Sequence, residues 1–434
     1  MGAIIRRLEK GIEKELSEQK SRGVINFQKL EAQNGSGAVQ KGGAAQDLRS
    51  AIPILGLREY WYPALPAKKV RANKPVFWVI AGEELVFFRD KKGEVVALSD
   101  VCPHRGSSIS EGDCFYKGFV SCPYHGATFD GKGECVAYLT EGPDSKMVGN
   151  LKIRAYPTKT LRGWVFIWMG EGEPAPIEED VPPEFFESDN TVLSTYTYWR
   201  INWALAVENH SDSHNAIYVH RNSIKQLLGL TKGRNRTPVG PQSKIVNGRG
   251  LVTTHSNQNY YAKDGKMPHQ MYYPGVSGVW PLHRRRLLWQ WFFLFFIRNE
   301  PEYFKKYEEW GRGHHLPGAV RTGGGSTRFA VPVKANLSRI IYFYFPKAKS
   351  ALSRAWAHLS FQLIDNPLEY NFSSQDGDAT GACRYWTTEH LSPTDSPIVA
   401  LRKLITEHSR DAQRKRAVIK ERVAVSVQSG RLTS

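Results

Sequence analysis

Cysteine is scarce in this chain of 434 residues, and its count is odd. The five cysteines, at positions 102, 114, 122, 135 and 383, are too few for a disulfide framework and favour a reducing compartment. We therefore expect a cytoplasmic protein. The sequence also lacks a recurring period, which argues against a solenoid or a propeller built from similar units.

Long hydrophobic runs are missing as well. The segment Leu287–Ile297 is strongly apolar, but its eleven residues fall short of the ~20 needed to span a bilayer, and Gln290 interrupts it. We interpret this segment as a buried strand. Because three arginines, Arg284–Arg286, directly precede it, contact with a membrane surface is a minor alternative. No secretory hydrophobic region is visible, because Met1–Lys20 is predicted to form a charged helix.

Acidic residues are in short supply: the chain has 42 Asp and Glu against 59 Lys and Arg, which gives a formal net charge of +17. The basic residues are dispersed and accompany no nucleic-acid recognition motif, so we do not expect nucleic acid as a partner. A basic surface also speeds the encounter with an acidic electron-transfer protein. Part of the excess lies in Arg410–Arg422, and residues 411–434 are predicted to be a solvated basic tail.

Composition divides the rest of the chain into three parts. Residues 1–50 are predicted to be a charged helix followed by a flexible Gly-rich linker, with ordered structure starting near Leu57. Short β runs separated by Gly and Asp turns predict a small all-β domain over residues 57–171. The Pro-rich acidic segment Glu171–Pro183 marks a boundary, and residues 184–410 mix predicted helices and strands, which indicates an α+β domain.

Two short segments of the β-rich part carry most of the functional information. They are Cys102-Pro-His104-Arg-Gly and Cys122-Pro-Tyr-His125-Gly, and seventeen residues separate His104 from Cys122. Two thiolates and two imidazoles in paired loops suit a Rieske [2Fe–2S] centre, in which two Cys hold one iron and two His hold the other. A Cys2His2 zinc site is the alternative, but it prefers a pair of Cys followed by a pair of His. The order of the ligands therefore favours the Rieske centre.

A second group of metal-binding residue types lies on a segment predicted to be a helix from Trp203 to His220. Three histidines and two acids fall within thirteen residues: Glu208, His210, Asp212, His214 and His220. Two His and one carboxylate on one face of the metal form the site of non-haem Fe(II) oxygenases. The segment is therefore a candidate for such a site, with a polar helix bearing solvated histidines as the alternative.

Together these segments resemble the α subunit of the Rieske non-haem iron ring-hydroxylating oxygenases over about residues 57–410. Within that family the chain is similar to the subgroup of the carbazole 1,9a-dioxygenase oxygenase component. The segment Glu389–Leu404, which runs into a helix predicted over Ser396–Ser409, also resembles this family. The resemblance implies an α+β fold in which a small all-β Rieske domain precedes a larger catalytic domain of the helix-grip type with a mononuclear iron site.

The resemblance also implies roles for individual residues. The cluster ligands would be Cys102, His104, Cys122 and His125, and the mononuclear iron ligands would be His214, His220 and Asp376, with Asp378 as the alternative carboxylate. Asp212 matches the acid that, in this family, hydrogen-bonds between a cluster His of one subunit and an iron-ligating His of the next.

The position of His214 departs from the family pattern, because it stands one residue early and Asn215 occupies the expected place. Six residues of a regular helix turn the chain by about 600°, so His214 and His220 would face different sides unless a bulge intervenes. His210 and His214 share a helix face more naturally. His210 with one of the other two is therefore the second choice for the ligand pair, and a lost iron site is the third.

The function implied by the resemblance is that of a terminal oxygenase. Such a protein receives electrons from NAD(P)H through a flavin reductase, usually with a ferredoxin, and uses O2 at Fe(II) to mono- or dioxygenate or demethylate an apolar, aromatic small molecule. Members of the subgroup are homotrimers. Candidate pocket aromatics are Tyr218, Trp289 and Phe292, for which core packing is the alternative. A Rieske electron-transfer or regulatory protein with a degenerate iron site is the alternative function, and a basic nucleic-acid-binding zinc protein is a third.

Overall fold

The structure is a computed structural model that describes residues 11–14, 48–188, 190–212, 219–222, 237–258, 310, 313–321, 326–383 and 389–418. Strands and helices are numbered within these residues. No helix in this part of the chain combines the length and the apolar character needed to cross a membrane.

The first domain consists almost entirely of short antiparallel strands. They are β1 (Trp61–Pro66), β2 (Val76–Ile80), β3 (Glu83–Arg89), β4 (Val95–Ser99), β5 (Val120–Ser121), β6 (Ala127–Phe129), β7 (Cys135–Tyr138), β8 (Ala155–Tyr156), β9 (Thr158–Leu161) and β10 (Trp164–Trp168). They form three sheets, in the orders β1-β10-β9, β2-β3-β4-β8 and β5-β6-β7. The all-β character predicted for this region is confirmed.

Turn chemistry explains why the strands are short. Between β3 and β4, the side chain of Asp90 accepts hydrogen bonds from the backbone N–H groups of Lys92 and Glu94, at 2.9 and 2.8 Å. Gly93 adopts a left-handed conformation with φ of +86°, which costs glycine little. The chain therefore reverses within five residues.

A small separate core supports the two Cys–His loops. Its buried apolar side chains come from several strands and loops, and they include Val86, Phe88, Leu98, Ile109, Val120 and Phe129. Cys102 and Cys122 belong to the same core and are only 2% and 3% exposed. The loops therefore project from a rigid base, which fixes the positions of their ligating atoms.

The second domain is an antiparallel sheet with helices packed against it. Its strands are β11 (Leu193–Trp199), β12 (Thr237–Val246), β13 (Gly250–Gln258), β14 (Gly313–His315), β15 (Ala319–Arg321), β16 (Ser326–Lys334) and β17 (Leu337–Tyr344). Their order in the sheet is β11-β17-β16-β15-β14-β13-β12. The helices are α1 (Trp203–Glu208), α2 (Ala351–Ser360), α3 (Asn366–Gly381) and α4 (Ser396–Lys403). Helix α1 packs on β16 and β17, and α3 contacts both α1 and β11, so the predicted α+β class is confirmed.

One apolar core joins the two domains. The ring centroid of Trp164, on β10, lies 4.9 Å from that of Phe343, on β17. Phe185, from the segment between the domains, lies 5.0 Å from Phe343 and 5.1 Å from Phe166. Edge-to-face contacts of this kind stabilise a core beyond the area that they bury. The two domains are therefore held in a fixed relation.

The folded part of the chain begins earlier than the sequence suggested. Residues 48–50 are helical, and Ile52 is 3% exposed, so the expected start near Leu57 was too late. Glu13 also contacts the folded body, because its carboxylate pairs with Lys69 at 2.8 Å and accepts a hydrogen bond from the Tyr196 hydroxyl at 2.9 Å. The described part of residues 1–50 is thus packed against both domains, contrary to the expectation of a flexible segment.

The start of the basic C-terminal segment is packed, so the prediction of a solvated tail was wrong for residues 411 and 412, whereas residues 413–418 are exposed, as predicted. Residues 411–418 are helical, and the Arg410 guanidinium just before them pairs with Glu179 at 2.5 Å and Asp180 at 2.8 Å. The Asp411 carboxylate accepts a hydrogen bond from the backbone N–H of Arg58 at 2.9 Å. The acidic segment between the domains supplies partners that a count of charges along the tail does not reveal.

Candidate metal centres

The first Cys–His loop is a tight turn closed by its own backbone. The N–H of Gly106 donates to the carbonyl of Cys102 at 2.8 Å, and the N–H of Cys102 donates to the carbonyl of Ser107 at 2.9 Å. Gly106 has a φ of +75°, a conformation that L side chains rarely adopt. The turn therefore directs Cys102 into the core and leaves the next residues near the surface.

The second loop repeats this geometry. The N–H of Gly126 donates to the carbonyl of Cys122 at 3.1 Å, and the N–H of Cys122 donates to the carbonyl of Ala127 at 2.8 Å. Gly126 has a φ of +67°, and a Cβ at this position would lie 2.7 Å from Cβ of Leu139. Both the conformation and the space therefore require glycine here.

The two imidazoles of the loops face each other through the same ring nitrogen. Nδ1 of His104 lies 3.2 Å from Nδ1 of His125, and the rings are inclined at 71°. Two nitrogens at bonds of about 2.1 Å to one metal, with an angle near 100° between them, are separated by roughly 3 Å. The pair is therefore already spaced for a single iron.

The two sulfurs form a second pair, and each receives backbone hydrogen bonds. The donors are the amides of His104 and Arg105 for Cys102, and those of Tyr124 and His125 for Cys122. The Cys102 thiol hydrogen-bonds to the sulfur of Cys122, which lowers the pKa of Cys122 to about 5 and raises that of Cys102. Cys122 is thus the thiol of the pair that gives up its proton more readily, as metal binding requires.

The donor set fits a Rieske centre better than a zinc site. In a Rieske centre each iron takes only two protein ligands, one pair of sulfurs and one pair of nitrogens. Among the described residues no group of three or more His, Cys, Asp or Glu side chains meets the geometry of a single-metal site. Cys114 and Cys135 are buried, and burial raises the pKa of both thiols, whereas Cys383 is exposed. These three cysteines lie outside the two loops.

Helix α1 leads to the second candidate centre but is shorter than predicted. The Asn202 side chain caps its start by accepting a hydrogen bond from the N–H of Ala204 at 2.9 Å, and the helix ends at Glu208. The helix predicted to extend to His220 was therefore too long. Asn, Ser and Asp residues follow Glu208, and their side chains compete for backbone hydrogen bonds. The N–H of Ser211 closes a tighter turn on the carbonyl of Glu208 at 2.8 Å.

A buried ion-pair group holds the end of α1. Arg402, on α4, donates to the two carboxylate oxygens of Glu208 at 2.8 and 3.1 Å, and it also donates to Glu389 at 3.1 Å. Arg49 pairs with the same oxygen of Glu389 at 3.0 Å. Burial raises the pKa of Glu208, and the guanidinium of Arg402 opposes that rise. The group fixes α1 against the C-terminal helix and the segment before the first domain.

His220 and Asp376 meet in the interior of the second domain. Nε2 of His220 lies 3.2 Å from Oδ1 of Asp376, and the two residues are 2% and 5% exposed. Two ligands at bonds of about 2.1 Å and right angles around one metal are separated by roughly 3 Å, so this pair suits neighbouring positions on an iron. Asp378, the alternative carboxylate, is exposed. The arrangement favours Asp376 over Asp378.

Neighbouring side chains orient this pair. The amide of Asn209 donates to Oδ1 of Asp376 at 3.4 Å, and Nδ1 of His220 lies 3.3 Å from the amide oxygen of Gln375. The Phe372 ring stacks on the His220 imidazole, with a centroid distance of 3.5 Å. A proton on Nδ1, held by Gln375, leaves Nε2 free to bind a metal. Helix α3 thus supplies both the carboxylate and the groups that fix the imidazole.

Of the other residues predicted for the second site, the structure describes only His210 and Asp212. His214 lies outside the described residues, as do the predicted pocket aromatics Tyr218, Trp289 and Phe292 and the predicted strand Leu287–Ile297. The ring of His210 lies 5.5 Å from that of His314, on β14. Asp212 is half-buried, four residues after the end of α1.

Three residues near these centres were missed by the sequence reasoning. Tyr138 has its hydroxyl 3.1 Å from Nδ1 of His104. Asn209 reaches Asp376 across 167 positions of sequence. His314 is buried, with its Nε2 2.7 Å from the Ser211 hydroxyl, and burial lowers its pKa well below the usual range. Asn209 lies within the segment already singled out, but no local pattern marks Tyr138 or His314.

Family models match both domains. Residues 60–157 match a Rieske [2Fe–2S] domain, and residues 168–264 match a family described as homotrimeric ring hydroxylase. A terminal oxygenase component of carbazole 1,9a-dioxygenase from Metapseudomonas resinovorans is 36% identical over 172 residues, which cover 39% of this chain and 44% of that protein. The chain therefore aligns with less than half the length of this curated relative.

Solved structures match over a longer range. The terminal oxygenase of carbazole 1,9a-dioxygenase from Nocardioides aromaticivorans IC177 has a TM-score of 0.66 at 25% identity, covering 85% of this chain and 99% of that one. A carbazole-bound oxygenase in complex with the ferredoxin of carbazole 1,9a-dioxygenase gives 0.62 at 25% identity, covering 83% and 92%. The chain therefore joins a region that matches a Rieske [2Fe–2S] domain to a region that matches a ring hydroxylase, and over most of its length it is similar to terminal oxygenases of carbazole 1,9a-dioxygenase.

Proposed function

We propose that this chain is the terminal oxygenase of a Rieske-type system, acting with NAD(P)H, a reductase and a ferredoxin on an apolar, aromatic small molecule. The observation that carries the proposal is the buried His220–Asp376 pair, at 3.2 Å, in the domain that follows the Cys–His loops. Its spacing suits a second metal site, which an oxygenase needs and an electron carrier does not. The ferredoxin complex among the related structures supports the choice of partner.

Electron entry is assigned to the Cys–His loops. Cys102 and Cys122 would hold one iron of the [2Fe–2S] cluster, and His104 and His125 would hold the other. The backbone amides aimed at the sulfurs stabilise negative charge there, which favours acceptance of an electron. The imidazoles, half-buried rather than buried, lie at the side of the cluster from which an electron would pass to a partner.

The second site is assigned to His220, Asp376 and a further histidine. His214 is the first choice for that ligand, with His210 as the alternative. A mononuclear Fe(II) held in this way would supply O2 activation. Asn209 keeps Asp376 oriented, and Gln375 holds the Nδ1 proton of His220. Burial of both side chains, to which the stacked Phe372 ring contributes, keeps water from the carboxylate and imidazole.

Asp212 is assigned the role of linking the two kinds of site between subunits. The resemblance to the Rieske oxygenases implies this role, in which Asp212 would hydrogen-bond both to a cluster histidine of a neighbouring subunit and to an iron-ligating histidine of its own chain. This arrangement requires an oligomer, and the name of the matching family model favours a homotrimer. We expect the active species to sediment as a trimer, and a stable monomer with full turnover in sedimentation velocity and activity assays would contradict this assignment.

A single-turnover experiment tests the proposed function. The iron-loaded protein is reduced chemically, freed of reductant and mixed with labelled O2 and a panel of aromatic and methoxylated aromatic compounds, with carbazole as the first probe. We expect a product that contains oxygen from the labelled O2, in a yield that requires prior reduction. Oxidation of the cluster without product from any compound, at full iron content, would contradict the proposal and favour an electron-transfer or regulatory protein.

A further inference from the structure

A buried arginine lies close to the second candidate centre. Arg328, on β16, is 4% exposed, and its guanidinium lies 5.2 Å from the ring centroid of Trp199. Among the residues that the structure describes, no carboxylate lies within ion-pair distance of Arg328. Burial of a charge without a carboxylate partner is costly, so packing of the core alone does not explain this residue.

The guanidinium of Arg328 spans the last turn of α1 with two hydrogen bonds. Nη2 donates to the carbonyl of Ala206 at 3.0 Å, and Nη1 donates to Oδ1 of Asn209 at 3.4 Å. Ala206 is among the last four residues of α1, where helical carbonyls need partners from outside the helix. The contact with Ala206 therefore holds the planar guanidinium in place while its other nitrogen reaches Asn209.

The amide of Asn209 stands between this guanidinium and the carboxylate of Asp376. Asn209 is 7% exposed, and its Nδ2 donates to Oδ1 of Asp376 at 3.4 Å. A guanidinium can only donate and a carboxylate can only accept, so the two neighbours permit the same single orientation of the amide. Both contacts are long for hydrogen bonds, so neither alone fixes the amide firmly.

Without the guanidinium, the amide of Asn209 is free to turn over. Its oxygen would then face the carboxylate oxygen of Asp376, and two acceptors in contact repel each other. Groups that orient a metal-binding carboxylate typically contribute 10–100-fold to metal affinity. The effect of Arg328 on Asp376 should therefore be visible as a change in the binding of iron.

We propose that Arg328 is a positioning residue for the second metal site: it fixes the amide of Asn209, which in turn fixes the carboxylate of Asp376 for iron. This inference rests on the proposed function, because it needs the His220–Asp376 pair to hold iron. Arg328 itself acts only through Asn209. No proton is transferred and no covalent bond changes along this chain of two hydrogen bonds.

Removal of the guanidinium has two opposite effects on metal affinity. Loss of the correct amide orientation weakens the binding of Fe(II), whereas loss of a positive charge from the interior favours a bound cation. Only the first effect passes through Asn209. The same substitution made with and without the Asn209 amide therefore separates the two effects.

The test is a double-mutant cycle that measures Fe(II) affinity rather than activity. The mononuclear site of the cluster-loaded protein is emptied with a chelator, and Fe(II) is titrated back anaerobically by calorimetry, with visible absorption reporting on the cluster. We expect Arg328→Met to weaken Fe(II) binding about tenfold more in the natural background than in Asn209→Ala.

Arg339→Met is the matched control. Arg339, on β17, is 1% exposed, lies 4.0 Å from the ring centroid of Trp78 and donates to the carbonyl of Val79 at 3.3 Å. It resembles Arg328 in burial, in its tryptophan contact and in its bond to a carbonyl, but its contacts are with the first domain. We expect the control to lower the free energy of unfolding and to leave Fe(II) affinity unchanged.

Arg328→Lys covers the case in which Arg328→Met fails to fold. It keeps the charge, but its single nitrogen replaces the planar fork that reaches both Ala206 and Asn209. A difference below about twofold between the two backgrounds, in Arg328→Met or in Arg328→Lys when the other does not fold, would overturn the inference. Failure of the natural protein to bind Fe(II) beyond its cluster would instead contradict the proposed function.

Discussion

Asp376→Ala is expected to abolish oxygenation and to remove one iron per chain while leaving the cluster in place. The substitution deletes the carboxylate that lies 3.2 Å from Nε2 of His220, and with it the acceptor of the Asn209 amide. Loss of a group that merely orients a ligand costs 10–100-fold in metal affinity or activity, so loss of the ligand itself should exceed about 100-fold. Iron analysis, visible absorption and the single-turnover yield together measure the effect.

Asp378→Ala is the control for this prediction. Asp378 lies on the same helix, α3, only two residues further along, and its side chain is exposed. We expect this variant to keep both its iron and its yield. Full iron content and normal yield in Asp376→Ala would mean that the carboxylate ligand comes from another part of the chain, and the assignment of the second site would be wrong.

Arg402→Met is expected to cause a large loss of stability without touching either metal site. Arg402 is 1% exposed and neutralises Glu208, which is 3% exposed and has both oxygens engaged by the guanidinium. Removing one partner leaves an unpaired charge in the interior, which typically costs about 3–5 kcal/mol in the free energy of unfolding. Denaturant unfolding of the cluster-loaded protein, followed by circular dichroism, measures the change.

The neighbouring residue provides the comparison. Lys403 is exposed on the same helix, and Lys403→Met should alter the free energy of unfolding by no more than about 0.5 kcal/mol. Equal effects of the two substitutions would show that the ion-pair group at the end of α1 contributes nothing particular to stability.

The first domain was predictable from sequence because its signals are local. Short β runs, Gly and Asp turns and the two Cys–His segments each report on a few neighbouring residues. The paired loops carry their own turn residues, Gly106 and Gly126, at left-handed positions. Ligand types, spacing and loop conformation therefore agree within two short stretches of chain.

The second centre depends on contacts that no local pattern encodes. His220 and Asp376 are far apart in sequence, and their meeting depends on how α3 packs against α1. The prediction of one helix from Trp203 to His220 was wrong about where the helix ends. The helix stops at Glu208 because Asn, Ser and Asp side chains follow it, and the periodicity of apolar and polar residues does not reveal their effect. The tail prediction failed at its first residues for a similar reason, since the Asp411 carboxylate accepts a hydrogen bond from the N–H of Arg58, 353 positions away in sequence.

Tyr138 shows the same limit at the first centre. It stands thirteen residues after His125, beyond the span of the loop motif, and β7 brings it back across the cluster ligands. An aromatic residue at the end of a strand is ordinarily read as core. Only the distance from its hydroxyl to Nδ1 of His104 distinguishes it from the other buried tyrosines of the domain.

The most direct test of the account is the content of iron and acid-labile sulfide in the chain purified without exposure to chelators. An oxygenase with both centres requires about three irons and about two sulfides per chain, with electron paramagnetic resonance of the reduced protein showing the mixed Cys and His ligation of a Rieske cluster. About two irons with two sulfides, unchanged after incubation with Fe(II), would contradict the account, because the His220–Asp376 pair would then hold no metal.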